Sequence, residues 1–144
     1  MTSQTVCIQI PAISDFVGVV RLAVSGVASR MQFSLDDIED IKVAVSEACT
    51  NAVQHAYGSV NGFIDVEMTL HSDKLEIVVR DSGKGFDPDN AVSDKKDGAN
   101  NELFGLGLGL TFIKTLMDFS EIKSTSSGTV VRMVKNAPPV SIPA

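Results

Sequence analysis

The chain has 144 residues, of which 44% are hydrophobic and 21% charged, and this length and composition are typical of one globular domain with its own core. Its formal net charge of −6 argues against direct binding to nucleic acid or to an anionic membrane, because both need clustered cations. A nucleotide or another protein is therefore the expected partner.

The first two predicted elements are a strand and a helix. Apolar and polar residues alternate over 5–10, which predicts a half-buried strand, and its terminal position favours an edge strand. A helix follows, from a cap at Ser14 to about Met31, and its predicted apolar face carries Phe16, Val20, Ala23, Val24 and Val27. Arg21 lies off the apolar face of this helix. It is most simply a surface residue and is also a candidate for a partner surface.

The next helix carries the residues around which the rest of the chain is organised. Its predicted N-cap is Ser34, and Tyr57 with Gly58 should end it. Its apolar face is predicted from the helical spacing of Ile38, Ile41, Val45, Ala48, Ala52 and Ala56, widened by Cys49 and Val53. Glu47 and Asn51 are four residues apart, so they share a stripe beside that face. They suit a proton acceptor and an oxygen ligand for a hard cation, although an isolated pair of this kind is more often solvated surface.

Two strands joined by a short turn follow, over 63–70 and 75–81. Strands so close in sequence indicate an α+β fold with helices against one sheet face, rather than a βαβ arrangement. Asp81 ends the second strand, and Gly83 and Gly85 come after it. These residues place a carboxylate beside a backbone that can approach a flat ligand closely, but a plain turn accounts for them equally well.

Glycines recur before the last predicted helix. Residues 89–104 are polar with few apolar anchors, which is typical of a lid, a binding loop or a disordered segment. Gly105, Gly107 and Gly109 then precede a helix over 110–118, and the backbone N–H groups at its start suit a polyphosphate. The spacing matches neither a Walker A motif nor a Rossmann fingerprint, so this segment alone is weak evidence.

Two further strands, over 120–123 and 128–135, complete the predicted domain. We place that domain at residues 1–136 and expect 137–144, which contains three prolines, to be a flexible tail.

The cysteines and the first residues favour the cytoplasm. Cys7 and Cys49 stand at no metal-ligand spacing and are interpreted as buried, reduced thiols. The sequence does not open with a basic segment followed by an apolar stretch, and no apolar run reaches the length of a membrane span. We therefore expect a cytoplasmic protein.

Three segments together point to a known superfamily. Residues 45–57, 81–85 and 107–110 resemble, in order and spacing, the N, G1 and G2 boxes of the GHKL ATPases. The small size of the chain, segment 45–57 and segment 21–31 are most similar to the anti-sigma factor kinases of the RsbW and SpoIIAB type. The resemblance runs from about 5 to 135, and three boxes in register are more specific than any one of them.

The resemblance implies a fold, cofactors and catalytic roles. The fold would be the Bergerat ATP-binding fold, an α+β two-layer sandwich whose mixed, mostly antiparallel sheet is covered on one face by about three helices. The cofactors would be ATP and Mg²⁺. Asn51 would ligate the Mg²⁺ that bridges the phosphates, and Glu47 would accept the proton of the attacking hydroxyl. Arg21 would lie on the partner surface.

The resemblance also assigns residues to the nucleotide. Asp81 would accept a hydrogen bond from the adenine amino group. The other residues assigned to adenine are Gly83, Gly85 and Thr129. The residues assigned to the phosphates are Gly107 and Gly109, or Gly105 and Gly107 in the alternative register.

By this resemblance the chain is an ATP-dependent serine-protein kinase. It would bind and inhibit an RNA polymerase sigma factor, phosphorylate a serine of an anti-anti-sigma antagonist, and form a homodimer through its N-terminal region. Two alternatives stay open. One is a nucleotide-dependent binding module without phosphotransfer, and the other is a stand-alone histidine-kinase-like ATPase domain. The presence of Glu47 favours the kinase.

Overall fold

The computed structural model describes residues 3–56, 62–83 and 101–138. Its elements, in chain order, are β1 (Gln4–Pro11), a turn of 3-10 helix (Ser14–Phe16), α1 (Val17–Ala28), α2 (Leu35–Asn51), a π-helical turn (Ala52–Ala56), β2 (Phe63–Leu70), β3 (Lys74–Asp81), α3 (Asn101–Leu116), β4 (Phe119–Thr125) and β5 (Gly128–Asn136). The predicted α+β class is confirmed.

The strands of the described residues form a single sheet. Their order is β1-β2-β3-β5-β4, and each neighbouring pair is antiparallel. β1 is an edge strand, as predicted, and β4 forms the other edge. Helix α1 contacts β1 and β2, α2 contacts β3, and α3 contacts β4. Among the described residues no helix is both long and apolar enough to cross a bilayer.

The core lies between the sheet and the helices. Every second residue of the central strands is buried: Ile64, Val66, Met68, Leu75, Ile77, Val79, Val131 and Met133. From α2 and the π-helical turn that follows it, the predicted apolar face supplies Ile41, Val45, Ala48, Cys49 and Ala52, with Ile38 and Val53 partly buried. Each buried large aliphatic side chain stabilises the fold by about 1.5–3 kcal/mol. This packing fixes the rotation of α2 and therefore the direction of its Glu47 and Asn51 stripe.

The start of α1 differs from the prediction. Ser14 does not cap the helix. It begins the 3-10 turn, whose N-cap is Ile13 and which has no side-chain cap among the described residues. The prediction that Phe16 lies on the apolar face is also wrong, since it is 40% exposed. The buried positions of α1 are Val17, Val20, Val24 and Ala28. Because the α-helix begins only at Val17, its inward face is centred on that residue and on Val24 rather than on Phe16.

Helix α2 begins as predicted. The Oγ atom of Ser34 accepts a hydrogen bond from the backbone N of Asp37 at 3.1 Å, which satisfies one of the free N–H groups of the first turn. The α-helix ends at Asn51 and the chain continues as the π-helical turn Ala52–Ala56. Such turns are frequent at functional sites. The predicted helix end at residues 57–58 lies outside the described residues.

Helix α3 begins earlier than predicted. It starts at Asn101, so the last residues of the predicted 89–104 loop are helical, and residues 89–100 lie outside the described residues. The three predicted phosphate-binding glycines are inside the helix: Gly105, Gly107 and Gly109. The prediction that they precede the helix and expose its N-terminal N–H groups is wrong. Each glycine lowers helix stability by about 1 kcal/mol, and tertiary contacts override this local preference.

Lys135 joins β5 to two of the helices. Its Nζ donates a hydrogen bond to the backbone O of Leu116, at the end of α3, at 2.7 Å. The same atom lies 4.0 Å from Asp37 Oδ1 and 3.9 Å from Asp40 Oδ2, both in α2. A cation at a helix C-terminus is favourable because it complements the helix dipole. The C-terminal end of α3 is thereby held against the first turns of α2.

The last described residues continue this contact. The backbone N of Asn136 donates to Asp118 Oδ2 at 2.7 Å. The backbone N of Ala137, the first residue of the predicted tail, donates to the backbone O of Asp73 at 2.9 Å. Residues 139–144 of that tail lie outside the described residues.

The cysteines differ in exposure. Cys49 is buried in α2, and burial raises the pKa of its thiol to about 12. Cys7 is exposed, so the prediction of two buried thiols is wrong for Cys7. The reason is the alternation of β1, which turns Ile8 and Ile10 towards the helices and Cys7 to the opposite face.

The sheet face away from the helices carries an ion pair between β3 and β5. Arg132 Nε donates to Glu76 Oε2, and the Phe119 ring centroid lies 5.2 Å from the guanidinium carbon. Burial raises the pKa of Glu76, but the hydrogen bond and charge of Arg132, followed by the imidazole of His71 whose Nε2 lies 3.7 Å from Glu76 Oε1, lower it by more. The pKa of Glu76 therefore lies below its usual value.

Replacing Glu76 with Gln should lower the free energy of unfolding at about pH 7 by about 1 kcal/mol or less, because the pair is partly exposed. A lowered folded-state pKa contributes stability above the unfolded pKa of about 4.3, and this contribution is lost as the pH falls through the folded pKa. Urea unfolding of both proteins at about pH 7 and about pH 3 should therefore give a smaller difference at the lower pH.

The matched control is Glu121→Gln, because Glu121 pairs with the exposed Lys123 at 3.3 Å and should change stability less. A Glu76→Gln difference that stays constant with pH would contradict the role of this ion pair.

Candidate functional site

The Glu47 and Asn51 stripe of α2 faces α3 at Gly109. A methyl group on Gly109 would lie 3.0 Å from Asn51 Nδ2 and 3.1 Å from Glu47 Oε2. Contacts this short would force the neighbouring atoms to move, so α3 approaches these side chains closely because Gly109 has no Cβ. Glu47 and Asn51 therefore do not lie on a fully solvated helix face, because the backbone of α3 packs beside them.

The carboxamide of Asn51 has an unsatisfied group. Asn51 is 8% exposed, and its buried Nδ2 has no hydrogen-bond partner among the described residues. A buried polar atom without a partner costs about 1–3 kcal/mol, and such atoms in native proteins often mark a functional site. A half-turn about χ2 exchanges the amide nitrogen for the oxygen, so the same side chain can present an oxygen to a cation.

The chemistry of this pair fits Mg²⁺ that is held together with a nucleotide. Within the described residues there is no group of three or more His, Cys, Asp or Glu side chains that could hold a metal by itself. Mg²⁺ is commonly bound by one or two protein oxygens and completed by phosphate oxygens and water. The Asn51 carboxamide can supply an oxygen ligand of the required kind, and the Glu47 carboxylate lies beside it.

A second group of polar residues lies at the end of β3. Asp81 is paired with Thr129 across the β3 and β5 ladder, and its Oδ1 accepts from the backbone N of Gly83 at 3.1 Å. Burial raises the pKa of Asp81, and the backbone N–H groups of Gly83 and Thr129 lower it by less, so its pKa lies above the usual value. The carboxylate is a half-buried acceptor that the backbone N–H of Gly83 holds in place.

Topology brings the two groups to one end of the sheet. Helix α2 leads through the π-helical turn towards the start of β2, where Ile64 pairs with Asp81. The π-helical turn itself contacts β5, which begins with Gly128 and Thr129. The C-terminal end of α2 and the Asp81 end of β3 therefore border the same region. Gly85, predicted to lie against the base, is outside the described residues.

Comparison with known proteins agrees with this geometry. The sequence matches the histidine kinase-like ATPase domain family over residues 10–135. It is 48% identical to the serine-protein kinase RsbW of Bacillus velezensis over 132 residues, which cover 88% of this chain and 82% of that protein. It is 44% identical to the serine-protein kinase RsbW of Bacillus subtilis, with coverage of 88% and 82%. The chain belongs to the RsbW family.

A solved structure supports the RsbW assignment at the level of the fold. The crystal structure of the RsbU and RsbW domains of a Mycobacterium tuberculosis protein superposes with a TM-score of 0.69 at 21% identity. The match covers 98% of this chain and 35% of that longer chain. The α+β sandwich described above is therefore shared with part of that longer protein.

Arg21 of this RsbW-family chain belongs to neither of the two polar groups. It is exposed on α1, and its Nε donates to Ser46 Oγ at 2.9 Å. Ser46 in turn donates to the backbone O of Lys42 at 2.7 Å. Sequence patterns had placed Arg21 on the surface, but they gave no sign of its contact with the residue that precedes Glu47.

Ser124 is a residue that the sequence analysis missed in this RsbW-family chain. Its Oγ lies 3.0 Å from Oγ1 of Thr129, which is 4% exposed. The sequence feature that could have indicated Ser124 was the hairpin formed by β4 and β5. Its register pairs Ser124 with Thr129, and this register could be read only once the turn between the strands was known.

Proposed function

We propose that this RsbW-family chain is an anti-sigma factor kinase. It binds an RNA polymerase sigma factor and transfers the γ-phosphate of Mg-ATP to a serine of an anti-anti-sigma antagonist. Family membership supports the kinase class. The structural observation that carries the proposal is the buried, unpartnered Asn51 carboxamide beside Glu47, closed in by Gly109. Phosphoryl transfer depends mainly on positioning of the reactants and on stabilisation of charge. The Asn51 and Glu47 side chains beside Gly109 can contribute to both.

In the proposed mechanism the α2 residues have separate roles. Asn51 would hold Mg²⁺, which would supply neutralisation of the charge on the transferred phosphoryl group. Glu47, one helical turn earlier, accepts the proton of the attacking serine hydroxyl. Both roles require the two side chains to face the same space, and their contact with Gly109 supports that arrangement.

The proposed nucleotide contacts use both ends of the described site. Asp81 accepts the adenine amino group, while Gly83, Gly85 and Thr129 border the base. The phosphates lie beside Gly109, next to Asn51. Gly105 and Gly107 belong to the same segment, and their lack of side chains lets the first turns of α3 adjust to the phosphates at little steric cost.

The test of the function uses a tagged protein to capture its partners from cytosol with and without ATP. Purified captured proteins are then incubated with γ-labelled ATP and Mg²⁺. The expected result is acid-stable phosphate on a serine of one partner and ATP-dependent capture of a sigma factor. Nucleotide binding without transfer would support a regulatory binding module instead, and acid-labile phosphate on histidine would support a histidine-kinase-like ATPase domain.

We further propose that the protein acts in the cytoplasm as a homodimer joined through its N-terminal region. The outer edge of β1 is not paired within the described residues, and exposed strand edges are usually covered in soluble proteins. The strand has neither a lysine nor a bulge that would prevent pairing, and Pro11 comes only at its end. A monomer mass by light scattering at micromolar concentration would contradict the dimer.

Replacing Arg21 with Ala should weaken binding of the captured sigma factor or antagonist by about tenfold, the loss expected for an important interface arginine. ATP affinity should not change, because Arg21 lies outside both polar groups of the site. Titration calorimetry with partner and with ATP measures both quantities.

The matched control is Ser46→Ala, which keeps the guanidinium and removes only the hydroxyl that Nε contacts. If Arg21→Ala and Ser46→Ala weakened partner binding equally, Arg21 would act through α2 and not by direct contact. Unchanged partner affinity in the Arg21 variant would remove it from the interface.

A further inference from the structure

A hydrogen bond and a strand pairing connect the edge strand β4 to Asp81. Ser124 Oγ lies 3.0 Å from Thr129 Oγ1, and either atom can be the donor. Thr129 lies directly opposite Asp81 in the β3 and β5 ladder, and its backbone N–H favours the charged form of that carboxylate. Thr129 is 4% exposed, so the direction of its hydroxyl hydrogen is set by protein neighbours more than by bulk water. Ser124 is the side-chain neighbour in contact with that hydroxyl.

The direction of the Ser124 bond decides what Thr129 can offer a ligand. Thr129 and Asp81 are opposite each other in the ladder, so their side chains lie on the same face of the sheet. If Ser124 donates to Thr129, the hydrogen of the Thr129 hydroxyl is free to point towards the site beside Asp81. If Thr129 donates to Ser124, the site meets only an oxygen lone pair. The two arrangements differ in polarity at one position while the Asp81 acceptor beside it stays the same.

Purine bases differ in the same respect. The Watson–Crick edge of adenine combines an amino donor with the N1 acceptor, whereas guanine presents an O6 acceptor and an N1–H donor. An acceptor beside a donor in the protein matches adenine and opposes guanine, and a buried mismatch of this kind discriminates strongly between ligands.

We propose that Ser124 is a positioning residue that holds the Thr129 hydroxyl as a hydrogen-bond donor and thereby contributes to the selection of adenine over guanine. The inference rests on the proposed function, since it concerns the base end of the same site. Ser124 needs no contact with the nucleotide for this role, because it acts through Thr129.

The experiment measures dissociation constants of ATP and GTP by titration calorimetry for the wild type and for Ser124→Ala. The variant should bind ATP about threefold to tenfold more weakly, the range expected for one net hydrogen bond, while GTP binding should stay unchanged or tighten. Ser124→Thr keeps a hydroxyl at the position and should restore the preference for ATP. Adding Ser124→Ala to Thr129→Ala should not change the ATP to GTP ratio further, because the hydroxyl that Ser124 orients is then absent.

Ser120→Ala is the matched control. Ser120 lies on the same face of β4 four residues earlier and pairs with Met133, so its loss should leave the ATP to GTP ratio unchanged.

A merely structural role for Ser124 would lower the unfolding free energy and weaken the binding of both nucleotides equally, and that result would overturn the inference. If the wild type prefers ATP and the Ser124→Ala variant shows the same ATP to GTP ratio, the inference is overturned and the proposed function is not. A wild type that binds no ATP would overturn the proposed function as well.

Discussion

Replacing Glu47 with Gln should reduce the rate of phosphotransfer by about a hundredfold or more while leaving ATP affinity nearly unchanged. The carboxamide has almost the shape of the carboxylate, so the close contact of this side chain with Gly109 is preserved. What is lost is the ability to accept a proton, and a positioned general base contributes typically 10²–10⁴-fold. Single-turnover transfer from γ-labelled ATP to the antagonist measures the rate, and calorimetry measures the affinity.

Asn51→Ala is the matched comparison, because Asn51 lies one turn further along the same stripe. It should weaken Mg-ATP binding by about tenfold or more, since a contact to a charged group is worth about 1.5–3 kcal/mol. Equal losses of nucleotide affinity in the two variants would contradict the separate roles of base and metal ligand. A Glu47→Gln protein with full transfer rate would exclude Glu47 as the base.

Replacing Gly128 with Ala should lower the free energy of unfolding by about 3 kcal/mol or more. Gly128 has a φ of +145°, and an added Cβ would lie 2.2 Å from the backbone O of Asp81. A non-glycine residue in this region is strained by about 1–3 kcal/mol, and the overlap with a backbone atom can be relieved only by moving β3 or β5. Since both strands carry the base end of the site, ATP affinity should fall as well. Urea unfolding and ATP titration measure the two effects.

Gly26→Ala provides the control for adding one methyl group to a glycine. Nothing lies within 4 Å of its added Cβ, and alanine favours the helical conformation of α1. This variant should be neutral or more stable by up to about 1 kcal/mol. A Gly128→Ala protein as stable as Gly26→Ala would show that the start of β5 can adapt without displacing Asp81.

Local patterns predicted the parts of the fold that depend on a single element. The alternation over residues 63–70 predicted both bounds of β2 correctly, because one face of that strand packs in the core. The helical spacing of α2 likewise predicted its buried face, and Ser34 its first turn. Glu47 and Asn51 were found for the same reason, since their common stripe follows from a spacing of four residues.

Contacts between elements could not be predicted in this way. Three glycines in alternate positions favour the end of a helix locally, yet α3 continues through them, and at Gly109 it packs against α2. The bond from Arg21 to Ser46 joins residues 25 positions apart. The residue pattern within α1 or α2 does not predict how one helix is rotated relative to the other. Only the packing of both helices on the sheet determines that rotation.

The pairing of β3 with β5 has a consequence for the order in which the protein matures. The hairpins β2 with β3 and β4 with β5 are local, whereas Asp81 meets Thr129 across 48 residues of chain. Pairings of such sequence separation form late, because closing the long loop costs entropy before contacts compensate for it. A chain still on the ribosome has Asp81 long before it has Thr129, which belongs to β5. The base end of the site is therefore completed only after β5 has been synthesised.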